Sequence, residues 1–270
     1  MRGLRFPVGV LAVGLAALAV PEVTGTYYLS VAFTFLMWIA LTQCWTILSG
    51  MAGYVSLGHV VFSGLGGYVT VVAWGVLPLY LSIPLAGLAA GAFALLIGIP
   101  VLRVRGPYFV ILTFGIAELV KFILLNLDAS MGKAGRFMIG LPPISMLYYI
   151  VLGLAVAATL LVWGVRRSKL GAGLIAIRED EEAAETIGVP VARYKVYAYV
   201  LSAIIPGMVG GLMGLRNTYM EVVYIFNPAV SFTIVTMAII GGSDDARGPI
   251  LGALFLVVLS EFLWTSLPQV

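Results

Sequence analysis

The chain has 270 residues, of which 61% are hydrophobic and only 10% are charged, and its formal net charge is +3. Soluble domains carry about 25% charged residues. A soluble fold cannot bury this much apolar surface, so the composition places most of the chain in a lipid bilayer. The same figures exclude disordered, collagen-like and nucleic-acid-binding proteins, and a single cysteine, Cys44, excludes an internal disulfide framework.

The apolar segments predict membrane-spanning helices. Positions 23–102 contain no Asp, Glu, Lys or Arg, which is room for several spans of about 20 residues. Backbone groups in hydrocarbon must be satisfied within their own segment, so these runs are predicted as helices. We predict an all-α polytopic membrane protein, one transmembrane domain over 1–270, with about eight to nine helices and a broken or re-entrant Gly-rich segment near 49–58. The apolar segments lie at roughly 7–21, 27–48, 59–77, 81–101, 107–126, 145–165, 195–215, 228–242 and 249–266.

The positions of arginine and lysine predict the orientation, because short loops rich in these residues stay in the cytoplasm. With the amino terminus inside, 11 of the 15 basic residues fall on the cytoplasmic side. Arg2 and Arg5 followed by a short apolar run also resemble a cleaved secretion signal. We expect this run to be retained as the first span, because the charge pattern of the whole chain works with it kept.

The longest polar stretch, from Arg166 to Lys195, differs from the rest of the chain. Its apolar residues recur near helical spacing and its acids lie elsewhere on the circumference, which predicts a short amphipathic helix over 174–187 ended by Gly188 and Pro190. Helices that lie on membranes are usually basic. The five acids within 179–185 therefore favour docking onto a protein, with a passive linker as the alternative. The apolar residues are Leu174, Ile177, Ala184 and Ile187.

Residues 182–188 fit the E-A-A-x-x-x-G loop by which permeases of ATP-binding-cassette (ABC) importers engage their ATPase subunits. With further segments in the same order and spacing, the chain resembles LivM-type permeases of the branched-chain amino-acid ABC importer family, within the LivH/LivM group. The general ABC loop continues to an I-x-L-P ending, which does not follow Gly188 here. The other segments that carry the resemblance are 50–59, 103–109, 176–184, 227–232 and 239–253.

The resemblance implies a transport subunit of a bacterial or archaeal cytoplasmic membrane, not an enzyme. The sequence has no G-x-x-x-x-G-K-[S/T] phosphate loop, so we expect this chain to bind no cofactor and partner subunits to hydrolyse ATP. The implied partners are a homologous LivH-type permease, two ABC ATPase subunits, an extracytoplasmic substrate-binding protein and membrane lipid. Closure of the ATPases would push the acidic helix and rock the spans. The residues implied in ATPase coupling are Glu179, Asp180, Glu181, Glu182, Ala183, Ala184, Glu185 and Gly188.

The Gly-rich segment 50–67 is the candidate substrate route, because glycines loosen helices where backbone lines a cavity. The alternative is that these glycines only pack helices together. His59 is the only histidine, which leaves a multi-histidine metal site without a second member; it is either a hydrogen-bonded packing residue or a proton relay. The candidate pathway residues are Gln43, Gly50, Gly53, Tyr54, Ser56, Gly58, His59, Thr113 and Ser231.

Two further features are candidates for function. Glu118 and Lys121 are three positions apart on one predicted helix, where they can form a structural ion pair or contact substrate. The loop 127–143, with Asp128, Lys133 and Arg136, either faces the binding protein or is a solvated connector.

The resemblance implies import of small amino acids, branched-chain ones first, with urea, short amides or another small organic solute as the alternative. A self-sufficient channel or ion-coupled carrier is the alternative of a different class. Such carriers usually place ionisable residues inside their spans, and the uncharged stretch 23–102 argues against them. A membrane enzyme would need cofactor ligands or a relay of acids, which the sequence does not show.

Overall fold

The computed structural model describes residues 5–132 and 135–266, without the side chain of Arg5. The sequence predictions that rest on Arg2, on the side chain of Arg5 and on Lys133 lie outside the described residues. The helices are α1 Arg5–Ala17, α2 Val20–Val23, α3 Thr26–Ala52, α4 His59–Ala73, α5 Leu79–Val101, α6 Pro107–Ser130, α7 Ile144–Arg167, α8 Lys169–Glu179, α9 Glu181–Thr186, α10 Val191–Leu215, α11 Val222–Ile225, α12 Ala229–Gly241 and α13 Gly248–Ser266. The strands are β1 Arg136–Phe137 and β2 Tyr219–Met220.

The predicted all-α polytopic fold is confirmed. Within the described residues, eight helical stretches are long and apolar enough to cross a membrane, and α4 is a shorter apolar helix of 15 residues. The predicted span 228–242 is part of a longer stretch, 222–241, in which α11 precedes α12. The predicted span 59–77 ends earlier, at Ala73, because the chain turns at Gly75 with φ +83°.

Helix α10 lies at the centre of the bundle, against α4 and α5. Its backbone touches that of α4 directly: a Cβ atom added to Gly66 would lie 1.9 Å from the Gly207 carbonyl oxygen, and one added to Gly210 would lie 1.9 Å from the Ser63 carbonyl oxygen. Small residues let membrane helices approach this closely, so that packing of the two backbones holds them together. The glycines of this pair are therefore structural.

The broken segment lies between α3 and α4. Gly53 ends α3 in the left-handed conformation, with φ +77°, and the chain doubles back along the last turns of α3. Ser49 donates a hydrogen bond to the Tyr54 carbonyl at 2.8 Å, and the Trp45 indole donates to the Ser56 carbonyl at 2.9 Å. The segment 53–58 therefore runs back beside the last two turns of α3 before α4 begins at His59. The predicted break is present, but it covers 53–58 because α3 continues to Ala52.

The acidic segment forms two helices, not the single predicted helix over 174–187. Asp180 is extended between α8 and α9, and its carboxylate caps α9 by accepting hydrogen bonds from the amides of Glu182 and Ala183 at 2.9 and 3.0 Å. Asp at this position satisfies amides that a helix start leaves free, so a break here is stable. Helix α9 ends before Gly188, φ +87°, as predicted. Ile187 follows the helix end and is 75% exposed, although the spacing places it on the apolar face.

The two strands form a small antiparallel ribbon in which Arg136 pairs with Met220 and Phe137 with Tyr219. It joins the 131–143 loop to the loop after α10. The Trp74 indole, just after α4, donates to the Ile139 carbonyl at 3.1 Å. The bundle thus has a ribbon side and, at the opposite helix ends, an α8 side that carries α8 and α9.

Candidate functional site

The amino-terminal end of α4 is buried inside the bundle, where its amides bind hydroxyl groups from other helices. The Leu57 amide donates to Thr113 Oγ1 of α6 at 3.3 Å, and the Val60 amide donates to Ser231 Oγ of α12 at 3.1 Å. A helix start leaves amides without helical partners and carries partial positive charge. Such an end inside a membrane can receive an anionic group such as a carboxylate.

His59 is the first residue of α4 and is 1% exposed. Among the described residues, neither of its ring nitrogens has a hydrogen-bond partner. The ring lies edge-on to Phe62 at 5.4 Å, and Phe62 is edge-on to Tyr199 at 5.2 Å. A buried polar group without a partner costs about 1–3 kcal/mol. Within the described residues His59 therefore lacks the hydrogen bond that a packing histidine was expected to make. Its two ring nitrogens can still bind a polar group at the start of α4.

The predicted pathway residues form three groups. Five surround the start of α4: Ser56, Gly58, His59, Thr113 and Ser231. Gly53 and Tyr54 lie closer to the α8 side, at the turn after α3. The third group packs on the turn 242–247, where Gln43 donates to the Ala246 carbonyl at 2.6 Å and a Cβ on Gly50 would lie 2.5 Å from the Ser243 carbonyl oxygen. Gln43 and Gly50 are therefore separate from the α4 start.

Tyr54 connects the broken segment to α9. Its hydroxyl donates to Glu181 at 2.8 Å and accepts from Lys195 at 3.0 Å. Lys195, only 5% exposed at the start of α10, also contacts Glu181 at 2.6 Å and donates to the Leu102 carbonyl at 3.0 Å. Arg105 lies 3.1 Å from the same carboxylate. We call Tyr54, Arg105, Glu181 and Lys195 the polar staple.

Ionised Glu181 is favoured within the staple. Burial opposes its ionisation, but hydrogen bonds from Lys195 and Tyr54 and the nearby charges of Lys195 and Arg105 outweigh burial and hold its pKa below the usual value. Sequence reasoning assigned Glu181 to ATPase coupling and missed Lys195 and Arg105 as its partners. The available signal was a lysine among the apolar residues that open α10, since buried charges need partners.

Arg178 makes a second connection on the α8 side. Its guanidinium donates to the Gly50 carbonyl at 2.9 Å and to Asp244 at 2.7 Å. The hydrogen bond between Arg178 and Asp244 stabilises the charged form of both groups. It therefore lowers the pKa of Asp244 and raises the pKa of Arg178. Helix α8 is thereby joined both to the end of α3 and to the turn between α12 and α13.

The residues predicted for ATPase coupling divide by position. Asp180 caps α9, Glu181 points into the staple, Ala184 is buried and Gly188 ends the helix turn. Exposed residues of this set are Glu179, Asp180, Glu182, Ala183, Glu185 and Gly188. Together with Ile187 they leave α9 with one face held by the bundle and one face free for a partner.

Two polar contacts lie elsewhere in the bundle. Lys121 and Glu118 are in ion-pair contact on α6, in the arrangement expected from their spacing. On the ribbon side, Asp128 accepts hydrogen bonds from Arg136 at 2.7 Å and from Tyr68 at 2.9 Å. Sequence reasoning placed Asp128 and Arg136 in the loop 127–143, but Asp128 lies on α6. The contact with Tyr68, which sequence reasoning did not identify, fixes the loop after α6 to α4.

Over the described ranges, no group of three or more His, Cys, Asp or Glu side chains is arranged to hold a metal ion.

Comparisons with known proteins give consistent results. The profile of the family described as branched-chain amino acid transport system / permease component matches residues 26–269. The chain is 27% identical to the high-affinity branched-chain amino acid transport system permease protein LivM of Salmonella typhimurium, over 94% of this chain and 67% of that protein. It is 28% identical to the Escherichia coli protein of the same name, over 92% of this chain and 66% of that protein.

A probable branched-chain amino acid transport permease protein LivH of Methanocaldococcus jannaschii is 27% identical over 54% of this chain and 42% of its own length. The chain thus spans about two thirds of the length of the LivM relatives. No solved structure matches it.

Proposed function

We propose that this chain, which belongs to the family of branched-chain amino acid transport system permease components, is a membrane-spanning subunit of an ATP-driven importer. In this proposal separate ABC ATPase subunits bind the α8 side, a second, LivH-type permease completes the pathway, and an external binding protein delivers substrate on the ribbon side. The α8 side would face the cytoplasm, which agrees with the excess of arginine and lysine there.

The observation that carries the proposal is the two-faced geometry of α9. Its outer face exposes Glu182 and Glu185, and the apolar Ile187 is exposed just beyond the helix end. Glu181, the first residue of α9, lies on its inner face and accepts a hydrogen bond from Tyr54 of the broken segment. A movement imposed on the outer face by an ATPase would reach the segment that precedes α4 through one short, polar contact. This arrangement supports α9 as the coupling element between a motor and the substrate route.

The start of α4 supports a route for small amino acids. A zwitterionic amino acid needs partners for a carboxylate and an ammonium group. In this structure the amides of Leu57 and Val60 donate to Thr113 and Ser231, so substrate would take over these bonds: its carboxylate would accept from the amides, and its ammonium would donate to the two released hydroxyl oxygens. The unpartnered nitrogens of His59 add hydrogen-bonding capacity at the same place. Because the relatives are named for branched-chain amino acids, we propose this substrate class, with urea and short amides as the competitors to be tested.

The ribbon side supports docking of a delivery protein. Phe137 and Ile139 are 77% and 89% exposed on a loop that Arg136 and Asp128 fix in place. Exposed apolar side chains that lie together on a fixed loop are typical of protein contact sites.

The first test is co-purification of the chain with its native ATPases after replacing Glu182 with lysine. The exposed carboxylate becomes a cation in the middle of the proposed docking face, and we expect at least about tenfold less ATPase to be retained, since central interface residues often contribute 2 kcal/mol or more. Glu22→Lys makes the same charge change at an exposed position on the ribbon side and is the control. Equal ATPase retention in both variants would contradict docking on α9.

A further inference from the structure

A cavity of about 600 Å³ lies on the α8 side between the end of α5 and the start of α10. Four cationic side chains and two carboxylates line it, so positive charge is in excess. Lys195 and Arg105 are both engaged with Glu181. Arg103 and Arg193 are exposed, and neither has a carboxylate within 4.0 Å among the described residues. Two arginines are therefore available to a ligand. The lining residues of opposite charge are Glu181 and Glu185.

The other wall of the cavity is apolar and continues along the surface of the spanning helices. Ile99 of α5 and Tyr197 of α10 line it and are each more than half exposed. Tyr197 lies six residues inside the start of α10, about 9 Å along the helix. Leu88 and Leu95 share the exposed face of α5 with Ile99. The cavity thus begins at the charged helix ends and leads into a surface that faces hydrocarbon in a membrane.

We infer that this cavity binds an anionic glycerophospholipid, whose phosphate contacts Arg103 and Arg193 and whose acyl chains lie along Ile99 and the exposed face of α5. Basic pockets between spanning helices suit anionic headgroups, and a tyrosine at such a level fits the interface between headgroups and hydrocarbon. A soluble ATPase could cover the arginines but would not reach the apolar wall. The inference does not depend on the proposed transport function, but it requires that the exposed face of α5 is open to lipid and that the second permease proposed above packs on another face of the bundle.

The test is selectivity of lipid association in the purified complex reconstituted in nanodiscs, measured with spin-labelled phosphatidylglycerol and phosphatidylcholine. A basic residue near an anionic membrane surface strengthens binding roughly fivefold. We expect the R103Q/R193Q double variant to lower the preference for phosphatidylglycerol by about 25-fold, the product of the two fivefold contributions. The matched control, R167Q/K169Q, removes two exposed cations from the same side outside the cavity, and we expect it to keep the preference.

A photoactivatable phosphatidylglycerol locates the site independently, with crosslinks expected in the peptides around 99–103 and 193–197. Four results would overturn the inference. They are an unchanged preference in R103Q/R193Q, an equal loss in the control, displacement of the lipid by free glycerol phosphate at equal concentration, and crosslinks that occur only after the ATPases are removed. The last result would assign the cavity to the ATPase interface.

Discussion

Replacing Lys195 with methionine is expected to lower solute uptake per ATP hydrolysed by at least about fivefold, while ATP hydrolysis continues. The buried ammonium joins Glu181 of α9 to Tyr54 of the broken segment and to the end of α5. Coupling free energies between sites are typically about 1–3 kcal/mol, which corresponds to factors of about 5 to 150. The measurement is uptake and phosphate release in the same proteoliposomes.

The matched control is Lys169→Met, which removes an exposed lysine from the first turn of α8. We expect normal coupling in that variant. Glu181→Gln should give a defect similar to that of Lys195→Met, and the double variant should be no worse than either, because both changes remove the same contact. Additive losses in the double variant, or a coupling ratio unchanged in Lys195→Met, would show that the polar staple does not transmit movement.

Replacing Gly66 with alanine is expected to destabilise the folded bundle by about 3 kcal/mol or more, at the upper end of the cost of overpacking. The added methyl group would lie 1.9 Å from the Gly207 carbonyl oxygen, which is backbone and cannot rotate away. Helices α4 and α10 would have to separate, and the start of α4 would move with them. Thermal unfolding in detergent and the yield of monodisperse protein measure the effect.

Gly153→Ala on α7 is the control for this prediction. Nothing lies within 4 Å of a Cβ at that position, and alanine is favoured over glycine inside a helix by about 0.5–1 kcal/mol. We expect that variant to be at least as stable as the original chain. If Gly66→Ala were equally stable, direct backbone contact between α4 and α10 would be refuted.

The features that the sequence predicted are those encoded locally. Apolar runs and the need to satisfy backbone groups inside hydrocarbon predict the spanning helices, and Gly188 correctly predicts where α9 ends. The break near 53–58 is similarly visible from its glycines. Its limits were not, because Ser49 and Trp45 continue α3 and bind the returning chain. The division of the acidic segment into two helices depends on Asp180, which caps α9. An aspartate can either cap a new helix or continue the existing one, and the periodicity of the apolar residues does not distinguish these two roles.

The features that the sequence did not predict depend on contacts between distant residues. Thr113 and Ser231 were selected as uncharged hydroxyls, but only the fold brings them to the amides of Leu57 and Val60. Glu181 was grouped with its acidic neighbours, although it alone points inward to Lys195. Sequence spacing places residues on a helix face, but it does not say which distant residues that face meets.

The most direct test of the account is uptake of radiolabelled leucine into vesicles with ATP supplied on the α8 side, comparing the complete complex with this chain alone. We predict uptake that requires ATP, the ATPase subunits and the binding protein, and none by the chain alone. Leucine movement through the chain alone, whether down its own gradient or driven by an ion gradient, would contradict the account and identify a channel or ion-coupled carrier.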